Sequence, residues 1–239
     1  MCKKLSINNA SNHFTFDVKW AFMFPARTDI HIVRKLWHVG MGLSIVLAYD
    51  LVLTRVESLL LCASGLGVFV AAELLRIRHD WFNRRIIAVF GPFMRHEEVA
   101  SMSSVPAFLC ACMFVMGIFP KTIASLSMLY VSFGDPAASL AGILYGKHGP
   151  SLVRGKTLIG TLSAVLVCAC VTFSYYWLRL GAVPNTELVL VSLTGGLIGG
   201  CAESLPLRID DNMSIPLVSA VFLWAIHVWV PCSLFLSMR

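Results

Sequence analysis

Four groups of polar residues stand out against an otherwise apolar chain. The first centres on Asp135, within Phe133-Gly134-Asp135-Pro136-Ala137-Ala138-Ser139-Leu140-Ala141-Gly142. A carboxylate at membrane depth costs about 2.5–3.5 kcal/mol on insertion scales, so it persists where it is paired, hydrated or bound to a metal. Gly134 and Pro136 loosen the backbone beside it, as happens where a helix lines a cavity. Asp135, Ser139 and Gly142 share one helical face. Close helix packing accounts for the small residues Gly134, Ala138 and Gly142, but it gives no reason for an acid. Asp135 is therefore expected to act as a base or as a metal ligand.

The second group is Arg34-Lys35-Leu36-Trp37-His38. Snorkelling cations and an interfacial tryptophan account for Arg34, Lys35 and Trp37. They do not account for His38, one turn deeper on the face of Arg34. Together Arg34, Lys35 and His38 suit neutralisation of a phosphoryl group. The third group runs from Gly146-Lys147-His148 to Arg154-Gly155-Lys156-Thr157. Its end looks like a P-loop, but the position that needs the earlier glycine is Pro150, and no strand precedes it. Lys147, Arg154 and Lys156 still suit a polyphosphate. Thr157 opens the next helix, whose N-terminus favours anions.

The fourth group is Glu203 followed by Asp210-Asp211-Asn212. Adjacent carboxylates and an amide are hard oxygen donors of the kind Mg²⁺ takes beside substrate phosphates, and Glu203 adds a third acid. Helix capping, with Ser214 as N-cap, requires only one such residue. Weaker signals are Glu73 with Arg76, and Arg95-His96-Glu97-Glu98; either pair suits a solvated face as well as a site. The pairs Cys110/Cys112 and Cys168/Cys170 lie in apolar runs and read as small buried hydrophobes.

These groups are carried by elements that the composition defines. Of 239 residues, 57% are hydrophobic and only 13% charged, and the mean hydropathy is +0.77. That balance excludes a water-soluble globular enzyme and a disordered chain. It predicts an all-α polytopic transmembrane helix bundle. Seven windows approach the length a bilayer requires: Leu36–Leu53, Ser58–Leu74, Val99–Phe119, Thr122–Leu144, Thr157–Leu178, Leu188–Leu205 and Ile215–Leu236. Arg84–Met94 is apolar but short and reads as interfacial or re-entrant. Glycines 195, 196, 199 and 200 form overlapping G-x-x-x-G patterns that predict close packing.

With these spans, all of the 19 Lys and Arg but Arg55, Lys121, Arg179 and Arg239 fall on one side. The positive-inside rule then places the N-terminus in the cytosol. Ten of the 13 acids face that side or lie within spans, the exceptions being Asp50, Glu57 and Glu187. The net charge of +6 is thus spread over juxtamembrane clusters, which suit lipid head groups and phosphorylated ligands rather than nucleic acid. Residues 1–30 read as a tail, partly interfacial around Phe22–Phe24 and with no signal-peptide core, and 31–239 as one membrane-embedded domain.

In this order, R-K-x-x-H, E-x-x-R at Glu73–Arg76, R-x-E near Arg95, G-D-x-A-A-S at Gly134–Ser139, the G-K…G-K-T loop and E-S-L-P…D-D-N-x-S-x-P resemble the dolichol kinase, phytol kinase and CTP-dependent diacylglycerol kinase family. The resemblance covers nearly the whole chain after the tail. It implies phosphoryl transfer, with CTP as the usual donor, to the hydroxyl of a lipid alcohol; the expected membrane is a bacterial inner membrane or an endoplasmic reticulum. It carries functional roles onto Arg34, Lys35, Asp135 and Gly142, the last at the nucleotide. Pro136 departs from the small or hydroxylated residue many members have there. The E-S-L-P…D-D-N end is nearer the phytol and diacylglycerol branch. Two other readings fit parts of the pattern. A cytidylyltransferase making a CDP-lipid lacks here its D-R-x-D ending, and a secondary transporter predicts an inverted repeat that is not visible.

Overall fold

The structure, a computed structural model, describes residues 31–229, apart from the side chains of His96, Glu97 and Arg154. The tail 1–30 and its interfacial segment, Arg239 and the end of the seventh window lie outside the described residues. Within them the chain is helical, with no strand beyond a single bridge between Ser151 and Thr157.

The helices are α1 (Ile32–Leu47), α2 (Arg55–Arg78), α3 (Asp80–Phe90), α4 (Val105–Ile118), α5 (Lys121–Leu129), α6 (Asp135–Tyr145), α7 (Leu158–Ser174), α8 (Thr186–Ser204) and α9 (Asp211–Trp229). Wider π turns extend α1 over Ala48–Val52 and α7 over Tyr175–Arg179, and a third, Tyr130–Gly134, joins α5 to α6. Five of these units are long and apolar enough to cross a membrane: Ile32–Val52, Arg55–Arg78, Leu158–Arg179, Thr186–Ser204 and Asp211–Trp229. The third window yields a helix of only 14 residues, because residues 96–104 are drawn into a loop. The fourth is the run α5–π–α6, in which serines, Asp135 and Pro136 dilute the apolar character. The 84–94 segment forms the end of α3 and a 3₁₀ turn at Gly91–Phe93.

Local chemistry explains the boundaries. Thr54 and Glu57 close a capping box on α2. Thr157 accepts from the Gly160 N–H at the start of α7, and Asn185 from the Leu188 N–H at the start of α8. The last helix begins earlier than a Ser214 cap requires. Asp210 holds its N-terminus: its carboxylate accepts from the Asn212 N–H at 2.8 Å, and its carbonyl from Ser214 at 2.9 Å. Ser214 is buried inside the helix.

α5 is the axis of the bundle: every residue from Thr122 to Leu129 is buried. Its continuation widens where Pro136, having no N–H, leaves the Ser132 carbonyl four residues back without its helical donor. Gly42 lets α1 lie against this turn, since a side chain there would overlap Ser132. The α7–α8 contact follows the expected glycine stripe. A Cβ at Gly196 would stand 2.5 Å from the Val165 carbonyl oxygen, and one at Gly199 2.6 Å from Cys168 Sγ.

Glu73 and Arg76 prove to be a buried clamp rather than a solvated face. Arg76 donates to Glu73 at 2.6 and 3.0 Å, to the carbonyls of Ser101 (2.6 Å) and Val99 (3.3 Å), and to Asn83 Oδ1 at 3.4 Å. Glu73 in turn accepts from the Ser103 N–H at 2.9 Å. One ion pair thus holds the loop between α3 and α4 against α2.

Candidate active site

Asp135 is the first residue of α6, half-buried where the π turn returns to a regular helix. A π turn shifts the backbone register, so carbonyls that would bond along the helix are freed for side chains; such turns are frequent at functional sites. His38 of α1 uses one of them, its Nε2 lying 3.2 Å from the Val131 carbonyl oxygen. A carbonyl only accepts, so Nε2 is the donor in this contact. The His38 ring also packs against Phe108, with centroids 5.7 Å apart. Lys35, one turn before His38, is half-buried, and both feel the charge of Asp135.

The end of α8 and the starts of α7 and α9 also come together near Asp135. Lys156, just before the α7 cap, reaches Glu203 Oε1 at 3.2 Å and Asp211 Oδ1 at 3.3 Å, and its ammonium also donates to the Glu203 carbonyl. Thr161, on the face of Thr157 and one turn on, donates to Glu203 Oε2 at 3.5 Å. The charge of Asp135 acts on both Glu203 and Asp211. Lys35 and His38 of α1 and an acid–lysine–acid triad from three other elements therefore lie near one half-buried carboxylate.

The other expected site residues make contacts of their own. Arg34 grips Glu98 with both guanidinium nitrogens, at 2.9 and 3.2 Å. It also donates to the Phe93 carbonyl at 3.4 Å. Burial alone would raise the Glu98 carboxyl; the Arg34 guanidinium, the Arg95 N–H at 2.8 Å and the Arg95 charge instead hold it below its ordinary value. Gly142 acts through packing: a Cβ there would stand 3.1 Å from Thr157 Oγ1, so its absence brings α6 close to the N-terminus of α7. Lys147 is exposed on a 3₁₀ turn at Gly146–His148, and Arg154 has no described side chain. Asp210 is exposed and occupied in capping, while Asn212 is buried.

Among the described residues no three or more His, Cys, Asp or Glu side chains stand close enough together to hold a metal. The donors Glu203 and Asp211 nonetheless converge on one positive charge, that of Lys156, and their hard oxygens are of the type Mg²⁺ accepts. Glu98 and Thr161 were the residues that sequence spacing underweighted. Thr161 was legible as the i+4 partner of Thr157, whereas nothing local pairs Glu98 with Arg34, 64 positions away.

Among the described residues, cations and carboxylates thus gather near an acid at a widened helical turn, in a chain with several helices apolar enough to cross a membrane. The comparisons agree. The chain is 30% identical over 203 residues to CTP-dependent diacylglycerol kinase 1 of Schizosaccharomyces pombe, which covers 82% of this chain and 93% of that protein. It is 26% identical over 215 residues to the enzyme of the same name from Saccharomyces cerevisiae, covering 83% and 74%. With phytol kinase from Synechocystis it shares 24% over 204 residues, covering 83% and 81%. The chain belongs to this family of lipid kinases. No family model matches it, and no solved structure does.

Proposed function

We propose that the protein transfers the γ-phosphoryl group of CTP to the hydroxyl of a lipid alcohol, with diacylglycerol the foremost candidate, at the cytosolic membrane face. What supports this reading is that Asp135 interacts electrostatically with Lys35 and His38 of α1 and with Glu203 and Asp211, which share the ammonium of Lys156. The names of the relatives support the donor and the acceptor class.

Phosphoryl transfer depends mainly on positioning and charge neutralisation. Lys147, Arg154 and Lys156, with the N-terminus of α7 behind Thr157, bind the nucleotide phosphates. Glu203 and Asp211, supported by Asp210 and Asn212, are the residues that would hold Mg²⁺. A Mg²⁺ held there would supply neutralisation of phosphate charge. Lys35 neutralises the transferred group, and Arg34 does so to the extent that it leaves Glu98. Asp135 orients the lipid hydroxyl and takes its proton as the new O–P bond forms and CDP leaves with the electrons of the broken bond.

The test uses the full chain reconstituted in nanodiscs with Mg²⁺ and γ-labelled CTP or ATP, against diacylglycerol, phytol, farnesol and a polyprenol. Label on a lipid alcohol, with CDP as co-product, is the expected outcome. Pyrophosphate release with a CDP-lipid, or no transfer to any alcohol, overturns the reading.

A further inference from the structure

Arg95, in the loop between α3 and α4, is exposed, although the loop around it is fixed at many points. Met94 and Val99 pack with Ile87 of α3 in a small apolar cluster. The Arg76 guanidinium holds the carbonyls of Val99 and Ser101. α1 holds the same loop. Arg34 Nη1 donates to Glu98 Oε2 at 2.9 Å, and the Arg95 N–H donates to that same oxygen at 2.8 Å. Arg34 also donates to the Phe93 carbonyl at 3.4 Å and to Ser104 Oγ at 3.5 Å. The Phe93 ring packs on Trp37 with centroids 5.0 Å apart. One carboxylate oxygen thus ties the backbone of Arg95 to the guanidinium of the residue next to Lys35. A loop anchored in this way presents its side chain in a fixed place, which lowers the cost of binding.

Charge decides what that side chain meets. Arg34 and Lys35 lie in the first turn of α1, and Arg95 is joined to them through Glu98. The charges of Arg34 and Arg95 both act on Lys35 and His38. Glu98 pairs with Arg34 and so offsets one of the three positive charges. Like charges held together repel, and an anion that binds among them relieves the repulsion. Arginine suits a phosphate in particular, because its planar fork binds two oxygens at once. The bond from Arg95 to Glu98 is made by the main chain, so a change of side chain leaves that tie in place.

We propose that Arg95 is a phosphate-binding residue of the active site, which with Lys35 grips the terminal phosphoryl group of the nucleotide. The inference deepens the lipid kinase reading above and rests on it. CDP lacks that terminal group, so the difference between CTP and CDP isolates the contact.

The experiment titrates CTP and CDP, each with Mg²⁺, into the full chain in phosphatidylcholine nanodiscs without lipid alcohol. Wild type, Arg95→Gln, Arg95→Lys and Arg84→Gln are compared, with thermal unfolding as the check on folding. Arg84 is exposed on α3 and controls for surface charge. Arg95→Gln is expected to weaken CTP binding about tenfold or more, the share of one charge-assisted hydrogen bond, and to leave CDP binding little changed. Arg95→Lys, which keeps the charge but loses the fork, is expected to lose less. If Arg95→Gln does not fold, the same comparison is read from Arg95→Lys. Unchanged CTP affinity in the folded variant overturns the assignment. So does an equal loss for CDP, which places Arg95 away from the terminal group, and so does an equal loss in Arg84→Gln, which marks general surface charge. Wild type that binds CTP but phosphorylates no alcohol in the assay above overturns the kinase reading alone; wild type that binds neither nucleotide overturns both.

Discussion

Asp135 bears the largest expected effect of any single residue. Asp135→Asn keeps the shape and removes the base and the negative charge. Transfer should fall by about 10²–10⁴-fold, the usual share of a positioned acid or base, with unfolding temperature little changed. An active Asp135→Asn enzyme would remove the residue from its assigned role. Glu98 makes a prediction about pH rather than rate. Its carboxyl is held below the ordinary value by Arg34 and Arg95, so its stabilising contribution is complete above the unfolded value, near 4.3. That contribution is lost as pH falls through the lower folded value. Thermal unfolding of wild type should therefore drop on acidification below about pH 4, and Glu98→Gln should flatten that part of the profile while lowering stability at neutral pH.

At the scale of elements, the π turn and the loop clamp are the features that matter. Pro136→Ala returns an N–H to the Ser132 carbonyl, a change worth up to about 3 kcal/mol in a regular helix. It also draws the Val131 carbonyl back toward the helical ladder and away from His38. The variant should be at least as stable as wild type and at least tenfold less active; equal activity would show that the widened turn has no part in catalysis. Arg76 acts through packing instead. Removing one partner of a buried ion pair leaves the other charge unpaired at a cost of about 3–5 kcal/mol. Arg76→Met should thus unfold at markedly lower temperature than wild type, with the loop between α3 and α4 becoming sensitive to protease before the helices do. Its fourth tie, to Asn83, extends the same clamp to α3.

For the whole molecule, the open question with a direct answer is direction. From the Lys and Arg bias we propose that the loop bearing Lys147 is cytosolic and the connection after Arg179 lies on the other side. With the native cysteines replaced, a single cysteine at Lys147 should react with an impermeant maleimide added from the cytosolic side, and one at Val183 from the opposite side. The reverse pattern would put the nucleotide loop where CTP is absent and would remove the face assigned to the reaction.

The sequence alone determined the class of the molecule. A chain with 13% charged residues cannot cover itself with water-binding surface, so helices in a bilayer follow from composition, and membrane cost makes a lone Asp135 conspicuous without any coordinates. Glycine spacing likewise foretold the α7–α8 contact, because a missing Cβ is a local property. Only the tertiary structure decided which charges meet. Arg34 and Lys35 are neighbours in the chain, yet one binds Glu98 and the other feels the charge of Asp135. Lys156 belongs with Glu203 and Asp211, while Asp210, beside Asp211, is spent on a cap. The physical reason is that helical residues one apart point about 100° from each other, so spacing names the face a residue shares but not the element opposite it.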